Sequence, residues 1–244
     1  MSKRNEKRVI KMHYVIGDIH NELTKLKSIL NQIKLTKEDE LIVLGDVFDR
    51  GEPNADPVGV YFELLKIQAK CTWIRGNHDQ WLADYICEYY SKTEKQQKKM
   101  YLFMYNSFEL MNARLTEMDM LYLANRIYTF PLQKELELDG KKYLFAHAMT
   151  SLPEVSQNRD YYLMGTYDFD VFLGDGMEGF ISICGHTVTA GVLEHPKGMY
   201  LDEYKTSIWR NEKGNVYLLD CGCGFTGGRL ACMCLETGER FYSD

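Results

Sequence analysis

The sequence predicts a mixed α/β (α+β) fold built around a parallel sheet. Three short polar motifs, at 17–20, 45–51 and 76–79, each follow a short apolar run. The two segments between them, 21–44 and 52–75, are equal in length, and each is long enough for one helix and one strand. This alternation of strand, motif and helix is typical of parallel sheets, in which right-handed crossovers return each strand to the same direction.

The first half of the chain shows this order directly. Leucines and one isoleucine recur at helical spacing over 23–33, and the preceding Asn21 is available as an N-cap. A second helix is predicted over 58–67. Strands buried on both faces are predicted where apolar, β-branched residues run together, at 14–16, 41–44 and 71–74.

Residues 80–126 differ in character from what precedes them. They are rich in Tyr, Met, Leu and Lys, contain no Pro or Gly, and are predicted to form a helical insertion of two or three helices. Strands are predicted again at 143–146, 181–184, 216–219 and 229–235. With no internal repeat and no linker, residues 1–244 are predicted to form one domain.

Composition restricts the classes of function. The net charge of −6 argues against an extended nucleic-acid surface. The basic lead-in of Lys3, Arg4, Lys7, Arg8 and Lys11 is not followed by the apolar segment of a signal peptide, and no apolar run is long enough to cross a membrane. Seven cysteines, an odd number, indicate reduced thiols and a cytoplasmic location rather than a disulfide framework.

The motifs bring together a specific set of chemical groups. They contain carboxylates, imidazoles, an Asn oxygen and an Arg. Metal pairs that activate water against a phosphoester need these oxygen and nitrogen ligands, together with a proton donor and a phosphate-binding group. In an open parallel sheet the carboxyl ends of the strands meet at one edge, so we expect the motifs to converge there.

On these motifs the chain resembles calcineurin-like metallophosphoesterases. Further matches are 145–148, 185–187 and the closing segments 219–222 and 227–230. The resemblance is to the branch that contains phosphoprotein phosphatases and symmetrical diadenosine tetraphosphate hydrolases. It implies a four-layer sandwich of two β-sheets flanked by helices.

The resemblance also implies a ligand set for two metal ions. Asp18 and His20 would bind the first metal and Asp46 would bridge both, while the second would be completed by Asn77, His147 and His186. Mixed oxygen and nitrogen ligands suit Mn²⁺ or Fe, and Zn²⁺ is compatible with them. The sequence does not choose among these metals.

In such a site a metal-bridging hydroxide would attack phosphorus. By resemblance, His78 would protonate the leaving oxygen while Asp49 orients its ring, and Arg50 would offer two N–H donors to the phosphate. A second phosphate-binding Arg is expected between His147 and His186, where Arg159 is a candidate.

Other residues are interpreted as structural. His13 and His195 match no motif, and Arg75 is predicted to support a strand end. Asp79 is the weakest member of its motif and is interpreted as a partner for nearby backbone. Cys221, Cys223, Cys232 and Cys234 are predicted to pack as small apolar side chains, with a Cys₄ zinc site as the alternative.

The chain departs from the family pattern at several positions. Protein phosphatases of the family usually carry Glu where this chain has Asp79, and Gly is common where it has Asn21. Two positions after His186 stands Val188 rather than the second His that nuclease and cyclic-nucleotide branches usually carry. This absence favours the phosphoprotein-phosphatase-like branch.

The leading hypothesis is therefore a serine/threonine protein phosphatase-like phosphomonoesterase that acts on a phosphorylated substrate. Hydrolysis of a dinucleoside polyphosphate such as diadenosine tetraphosphate is the close alternative, because it requires the same metals and differs in the pocket wall. A nuclease and a catalytically silent binding module are weaker alternatives. The oligomeric state is not predicted.

Overall fold

The computed structural model describes residues 11–100, 106–192 and 197–243. The predictions for the basic lead-in up to Arg8 and for His195 lie outside these residues. The strands of the described part are β1 His13–Ile16, β2 Glu40–Val43, β3 Lys70–Trp73, β4 Gln133–Leu138, β5 Lys141–Ala146, β6 Ile181–Cys184, β7 Gly198–Tyr200, β8 Trp209–Asn211, β9 Val216–Leu218, β10 Ala231–Cys234 and β11 Arg240–Tyr242.

The helices lie between these strands. They are α1 Leu23–Ile33, α2 Pro57–Leu65, α3 Asn77–Tyr90, α4 Glu94–Gln97, α5 Asn106–Asn112, α6 Glu117–Tyr128, α7 Arg159–Met164 and α8 Phe169–Asp175. A short 3₁₀ helix covers Thr189–Val192. Among the described helices none is both long and apolar enough to span a membrane.

The strands form two mixed sheets. The first has the order β11-β10-β1-β2-β3, in which β1, β2 and β3 are parallel as predicted and β10 pairs antiparallel with β1. The second has the order β4-β5-β6-β9-β8-β7, with a parallel centre of β5, β6 and β9. Each sheet thus carries parallel strands whose carboxyl ends share an edge.

Three apolar clusters hold the layers together. Between the sheets, Val15 and Ile42 of the first pack in one cluster with Phe145 and Ile183 of the second. The outer face of the first sheet is covered by α1, α2, α3, α5 and α6. The outer face of the second is covered by α7 and α8, where Phe172 lies against Trp209 and neighbouring residues. The four-layer sandwich that the resemblance implied is therefore present.

The helices predicted over 23–33 and 58–67 agree with α1 and α2 to within two residues at each end, whereas the insertion differs from its prediction. The insertion predicted over 80–126 is formed by α3 to α6 in the described residues, so it holds more helices than the two or three expected. It also starts earlier, because Asn77 is the first residue of α3. Gly76 is the N-cap, and Asp79 completes the capping interaction by accepting from the Gly76 amide at 2.9 Å.

Asn21 is not the N-cap of α1. The cap is Glu22, and it makes no side-chain capping bond. Asn21 adopts a left-handed conformation with φ of 62°, and its side chain is directed into a buried network with the insertion. A local N-cap prediction fails here because a tertiary contact uses the side chain instead.

Candidate metal centre

All six predicted metal ligands lie where strands of the two sheets end. Asp18, Asp46 and Asn77 follow β1, β2 and β3 of the first sheet, and His147 and His186 follow β5 and β6 of the second. His20 lies two residues after Asp18. The strand ends of both sheets therefore meet at one edge of the sandwich, as the open α/β topology predicts.

The ligating atoms form two overlapping groups. Asp18, His20 and Asp46 make up one group, and Asp46, His147 and His186 make up the other. Within each group the candidate ligand atoms all lie within 4.8 Å of one another, and Asp46 belongs to both. This arrangement fits the expected bridging position of Asp46.

Asn77 lies at the centre of the second group. Its Oδ1 is 2.9 Å from His147 Nε2 and 2.9 Å from His186 Nδ1. His147 Nε2 is also 3.3 Å from Asp46 Oδ1. The structure thus brings together every residue predicted for the second metal.

Backbone carbonyls orient two of the histidines. His20 Nδ1 lies 3.0 Å from the Phe48 carbonyl oxygen, and His147 Nδ1 lies 2.9 Å from that of Leu44. A ring that donates Nδ1–H to a carbonyl keeps Nε2 as the bare, metal-ligating nitrogen. For both rings Nε2 is the atom that faces the carboxylates.

Two glycines allow the carboxylates to sit so close to the backbone. A Cβ at Gly185 would lie 2.1 Å from Asp18 Oδ1, and one at Gly76 would lie 2.2 Å from Asp46 Oδ1. Real Cβ atoms essentially never lie so close to another heavy atom, so a side chain at either position would displace the carboxylate. Gly76 is thus required for the close approach of Asp46 to the backbone.

Burial keeps two of the imidazoles neutral. It lowers the pKa of His20 to about 3 and that of His186 to about 4. Neutral imidazole is the form that binds a metal. Asp46 behaves differently, because the nearby His147 outweighs the effect of burial and holds the pKa of this carboxyl well below its ordinary value.

The structure adds Asp220, to which the sequence assigned no role. Its carboxyl is buried, with Oδ1 accepting from the Gly222 amide at 2.9 Å, while Oδ2 has no hydrogen-bond partner among the described residues. Burial raises its pKa to about 7. Its position after β9 repeats the strand-end placement of the six predicted ligands, and that pattern could have identified it as a residue near the site.

The electrostatics of the site favour cations. Burial raises the pKa of Asp18 well above its ordinary value, and the negative charge of Asp220 raises it further. Carboxylates that are buried together resist ionisation unless positive charge compensates them. The donor set and its clustered buried carboxyls therefore fit a pair of metal ions, whose positive charge would compensate the ionised carboxylates.

His78, Asp49 and Arg50 lie beside this cluster. His78 Nδ1 is 3.1 Å from Asp49 Oδ2, and both side chains are buried. The Arg50 guanidinium reaches both His20 Nε2, at 3.1 Å, and His78 Nε2, at 3.3 Å. The ring of Phe225 lies against it, 4.5 Å from the guanidinium carbon.

Two further residues near the site, Asp79 and Arg75, make structural contacts with the backbone. Asp79 accepts from the backbone amides of Gly76 and Val47, which matches its interpretation as a backbone partner. The Arg75 guanidinium donates to the carbonyls of Tyr128 and Phe130 and so supports the end of β3 as predicted.

Arg159 lies at the start of a helix, whereas the cluster residues follow strand ends. It is the first residue of α7, half exposed, with Nε 3.3 Å from the neighbouring Asp160 carboxylate. Its proposed role in phosphate binding stays a prediction.

The cysteines do not form a metal site in the described residues. All seven are free, and the four of the C-terminal group are buried. Cys221 packs in the cluster between the sheets, whereas Cys223 and Cys232 pack in the cluster beneath the helices. Apolar packing, the favoured prediction, accounts for their positions.

Comparison with known proteins shows the family to which the chain belongs. The profile of the calcineurin-like phosphoesterase family matches residues 14–217. An uncharacterized protein of Methanocaldococcus jannaschii is 29% identical over 203 residues, which cover 78% of this chain and 71% of that protein. Shewanella-like protein phosphatase 1 of Plasmodium berghei is 31% identical over 110 residues, covering 38% of this chain and 30% of the phosphatase.

Solved structures share the fold. A candidate diadenosine tetraphosphatase superposes with a TM-score of 0.60 at 16% identity, covering 96% of this chain and 94% of that one. A serine/threonine phosphatase of Saccharomyces cerevisiae, similar to human phosphatase PP5, gives a TM-score of 0.56 at 13% identity, with coverage of 98% and 82%. Since the family profile spans most of the chain and the cluster fits a metal pair, this protein belongs to the calcineurin-like phosphoesterase family and is a metal-dependent phosphoester hydrolase.

Proposed function

We propose that this protein is a phosphomonoesterase of the serine/threonine protein phosphatase type that uses two metal ions. The observation that supports the proposal is the cluster of six predicted ligands with His78, Asp49 and Arg50 beside it. Asp18 and His20 would hold one metal and Asp46 would bridge both. The second metal would be completed by Asn77, His147 and His186.

When bound, two metals lower the pKa of a shared water and draw charge from the phosphoryl oxygens. The chain's own residues perform the other tasks. Arg50 would donate two N–H groups to the phosphate, a planar arrangement that matches its oxygens. Since Arg50 lies within hydrogen-bonding distance of His78 Nε2, a phosphate that it binds is brought next to the proton donor.

His78 would act as the general acid. With Nδ1–H donated to Asp49 Oδ2, the protonated ring would carry its second proton on Nε2, beside Arg50, and would donate it to the leaving oxygen. The Asp49 carboxylate would stabilise the imidazolium and fix the ring orientation. The leaving alkoxide of a phosphoserine or phosphothreonine is strongly basic, so it needs this proton.

The ligand set also limits the metals. Three imidazoles, an amide and carboxylates form a mixed oxygen and nitrogen set, which suits Mn²⁺ or Fe and is compatible with Zn²⁺. We propose Mn²⁺ or Fe as the working pair. Metal analysis of protein purified without added metals, followed by activity after reloading with each ion, tests this assignment.

A phosphoprotein substrate is supported by the sequence similarity to Shewanella-like protein phosphatase 1. The free state of all seven cysteines supports a reducing, cytoplasmic location for the enzyme.

Substrate class is tested by direct competition. Metal-stripped protein, reloaded with Mn²⁺, is offered a phosphothreonine peptide and diadenosine tetraphosphate in parallel, and the products are quantified. Faster release of phosphate from the peptide is the expected result. Faster conversion of the dinucleotide to two diphosphates would replace the proposal with the hydrolase alternative, and turnover of neither would contradict both.

A further inference from the structure

The helical insertion contacts the catalytic Asp49 through one buried side chain. Ser107, in the first turn of the described part of α5, is fully buried. Its Oγ accepts from the Asp49 amide at 2.6 Å, and its own amide donates to Asp49 Oδ1 at 3.1 Å. Since Asp49 Oδ2 faces His78, each oxygen of the carboxylate has its own partner.

Two asparagines extend this contact to Arg50. The Arg50 carbonyl accepts from Asn106 Nδ2 at 2.9 Å and from Asn21 Nδ2 at 3.2 Å. Asn21 is fully buried, and its Oδ1 accepts from Ser107 Oγ at 3.0 Å. Asn21, Asn106 and Ser107 therefore form one network, which we call the insertion clamp.

The backbone held by the clamp is strained. Asp49 and Arg50 are consecutive non-glycine residues with φ of 63° each. A left-handed conformation is unfavourable for an ordinary residue, because it brings Cβ too close to the following carbonyl oxygen. Such strain persists only where surrounding contacts enforce it, and at these two residues the clamp supplies hydrogen bonds to both backbone and side chain.

We propose that Ser107, with Asn21 and Asn106, is a positioning residue for the general acid. The clamp fixes the Asp49 carboxylate against His78 and sets the direction of Arg50, so that the helical insertion controls proton donation. This inference rests on the proposed function. Because Gly is common where this chain has Asn21, the Asn21 part of the clamp is a feature of this chain rather than of the family pattern.

If the insertion clamp positions the general acid, its loss should have a kinetic effect that the loss of a purely structural contact would not have. A misplaced general acid slows the loss of a poor leaving group, whereas a good leaving group departs with little help. Displacements of about 1 Å can reduce a rate about a hundredfold. Loss of the clamp should therefore lower kcat selectively for esters of weakly acidic alcohols and leave KM nearly unchanged.

The test uses the full-length, Mn²⁺-loaded protein. Ser107→Ala and Asn21→Gly remove clamp groups, and Asn112→Ala is the matched control, because Asn112 ends the same helix and bonds to Tyr90 outside the clamp. Kinetics are measured with phenyl phosphate and p-nitrophenyl phosphate, which have a poor and a good leaving group. We expect Ser107→Ala to lower kcat about tenfold or more on the former and less than about threefold on the latter.

An equal loss on both esters, or none, would overturn the proposal. Hydrogen exchange of the peptide that contains Asp49 and Arg50 gives a second readout that needs no activity. Exchange should accelerate in Ser107→Ala and not in Asn112→Ala, and unchanged exchange would also overturn the proposal. If the parent protein hydrolyses neither ester, the proposed function fails, and the exchange result alone decides whether Ser107 fixes this segment.

Discussion

His78 links the two halves of the site at the scale of a single residue. Its backbone amide donates to Asp46 Oδ1 at 2.9 Å, while its ring faces Asp49. The proposed bridging carboxylate, Asp46, and the proposed proton donor are therefore held in a fixed relation by one residue at the start of α3. Substitution of the ring alone leaves the amide contact to Asp46 intact.

This arrangement predicts the effect of His78→Ala. The variant should lose about 10²–10⁴-fold in kcat on a phosphothreonine peptide, the usual contribution of general acid catalysis. It should retain its metals, because the ring is not among the proposed ligands. Steady-state kinetics and elemental analysis of the same preparation check both parts, and an unchanged rate would remove His78 from the acid role.

The Arg50→Lys variant tests whether phosphate binding depends on the positive charge of Arg50 or on the arrangement of its N–H donors. Lys keeps the positive charge but lacks two parallel donors, so KM should rise about 10–100-fold, the equivalent of about 1.5–3 kcal/mol for a bond to a charged group. Inhibition by inorganic phosphate should weaken by a similar factor. Arg159→Lys in the same assay tests the second predicted phosphate-binding residue, and an unchanged KM in that variant would exclude it.

At the scale of one element, β2 has a different polar cluster at each end. Asp46 follows its last residue, whereas Glu40, its first residue, is a buried carboxylate at the opposite edge of the sheet. Its oxygens lie 3.0 Å from Lys11 Nζ, 3.2 Å from Lys70 Nζ and 3.1 Å from Lys134 Nζ. Lys134 belongs to β4, so the cluster also joins the two sheets.

The cluster predicts a pH dependence of stability. Burial opposes ionisation of Glu40, but hydrogen bonds from the three lysines outweigh it and lower the pKa from 4.5 to about 2. A depressed folded-state pKa stabilises the protein above the unfolded pKa, and this contribution is lost as the pH falls from about 4.5 towards 2.

Glu40→Gln should therefore lower the free energy of unfolding at pH 7 by about 2 kcal/mol, since charged hydrogen bonds are lost. The variant's stability should also fall less steeply below pH 4.5. Urea unfolding at a series of pH values measures both effects. Glu38→Gln, at an exposed neighbour, is the control, and parallel curves for Glu40→Gln and the parent protein would contradict the prediction.

At the scale of the whole molecule, the candidate metal centre lies where the two sheets meet. One sheet provides Asp18, Asp46 and Asn77, and the other provides His147 and His186. Metals bound there would join the sheets at one edge and bind only the folded chain. Binding that is specific to the folded state stabilises it by mass action.

Removal of metal should therefore lower the melting temperature. With free metal at about a hundredfold above Kd the stabilisation is about 2.7 kcal/mol, which corresponds to about 5–11 °C in a protein of this size. Calorimetry before and after chelation, and after Mn²⁺ is restored, measures the shift. His186→Ala should reduce the response to Mn²⁺, whereas His13→Ala should not.

The sequence by itself determined the order of strands, motifs and helices in the first half of the chain, and it predicted which residues form the site. Apolar runs that end at polar motifs are local signals, and parallel topology brings such motifs to one edge, so Asp18, Asp46 and His147 could be expected to converge. The four-layer arrangement and the roles of His78 and Arg50 came from resemblance to a family whose motifs this chain carries. These features depend on patterns that are present in the chain itself.

Only the tertiary structure decided which polar side chains serve the site from a distance. Asn21 looked like an N-cap, but it bonds to Ser107, which lies 86 positions away in the chain. Asp220 had no assigned role, because its effect on Asp18 arises where strands of different sheets meet. Such contacts join residues that are far apart in sequence, and no local period or spacing encodes them. For this reason the motifs could be predicted, and the network that holds them in position could not.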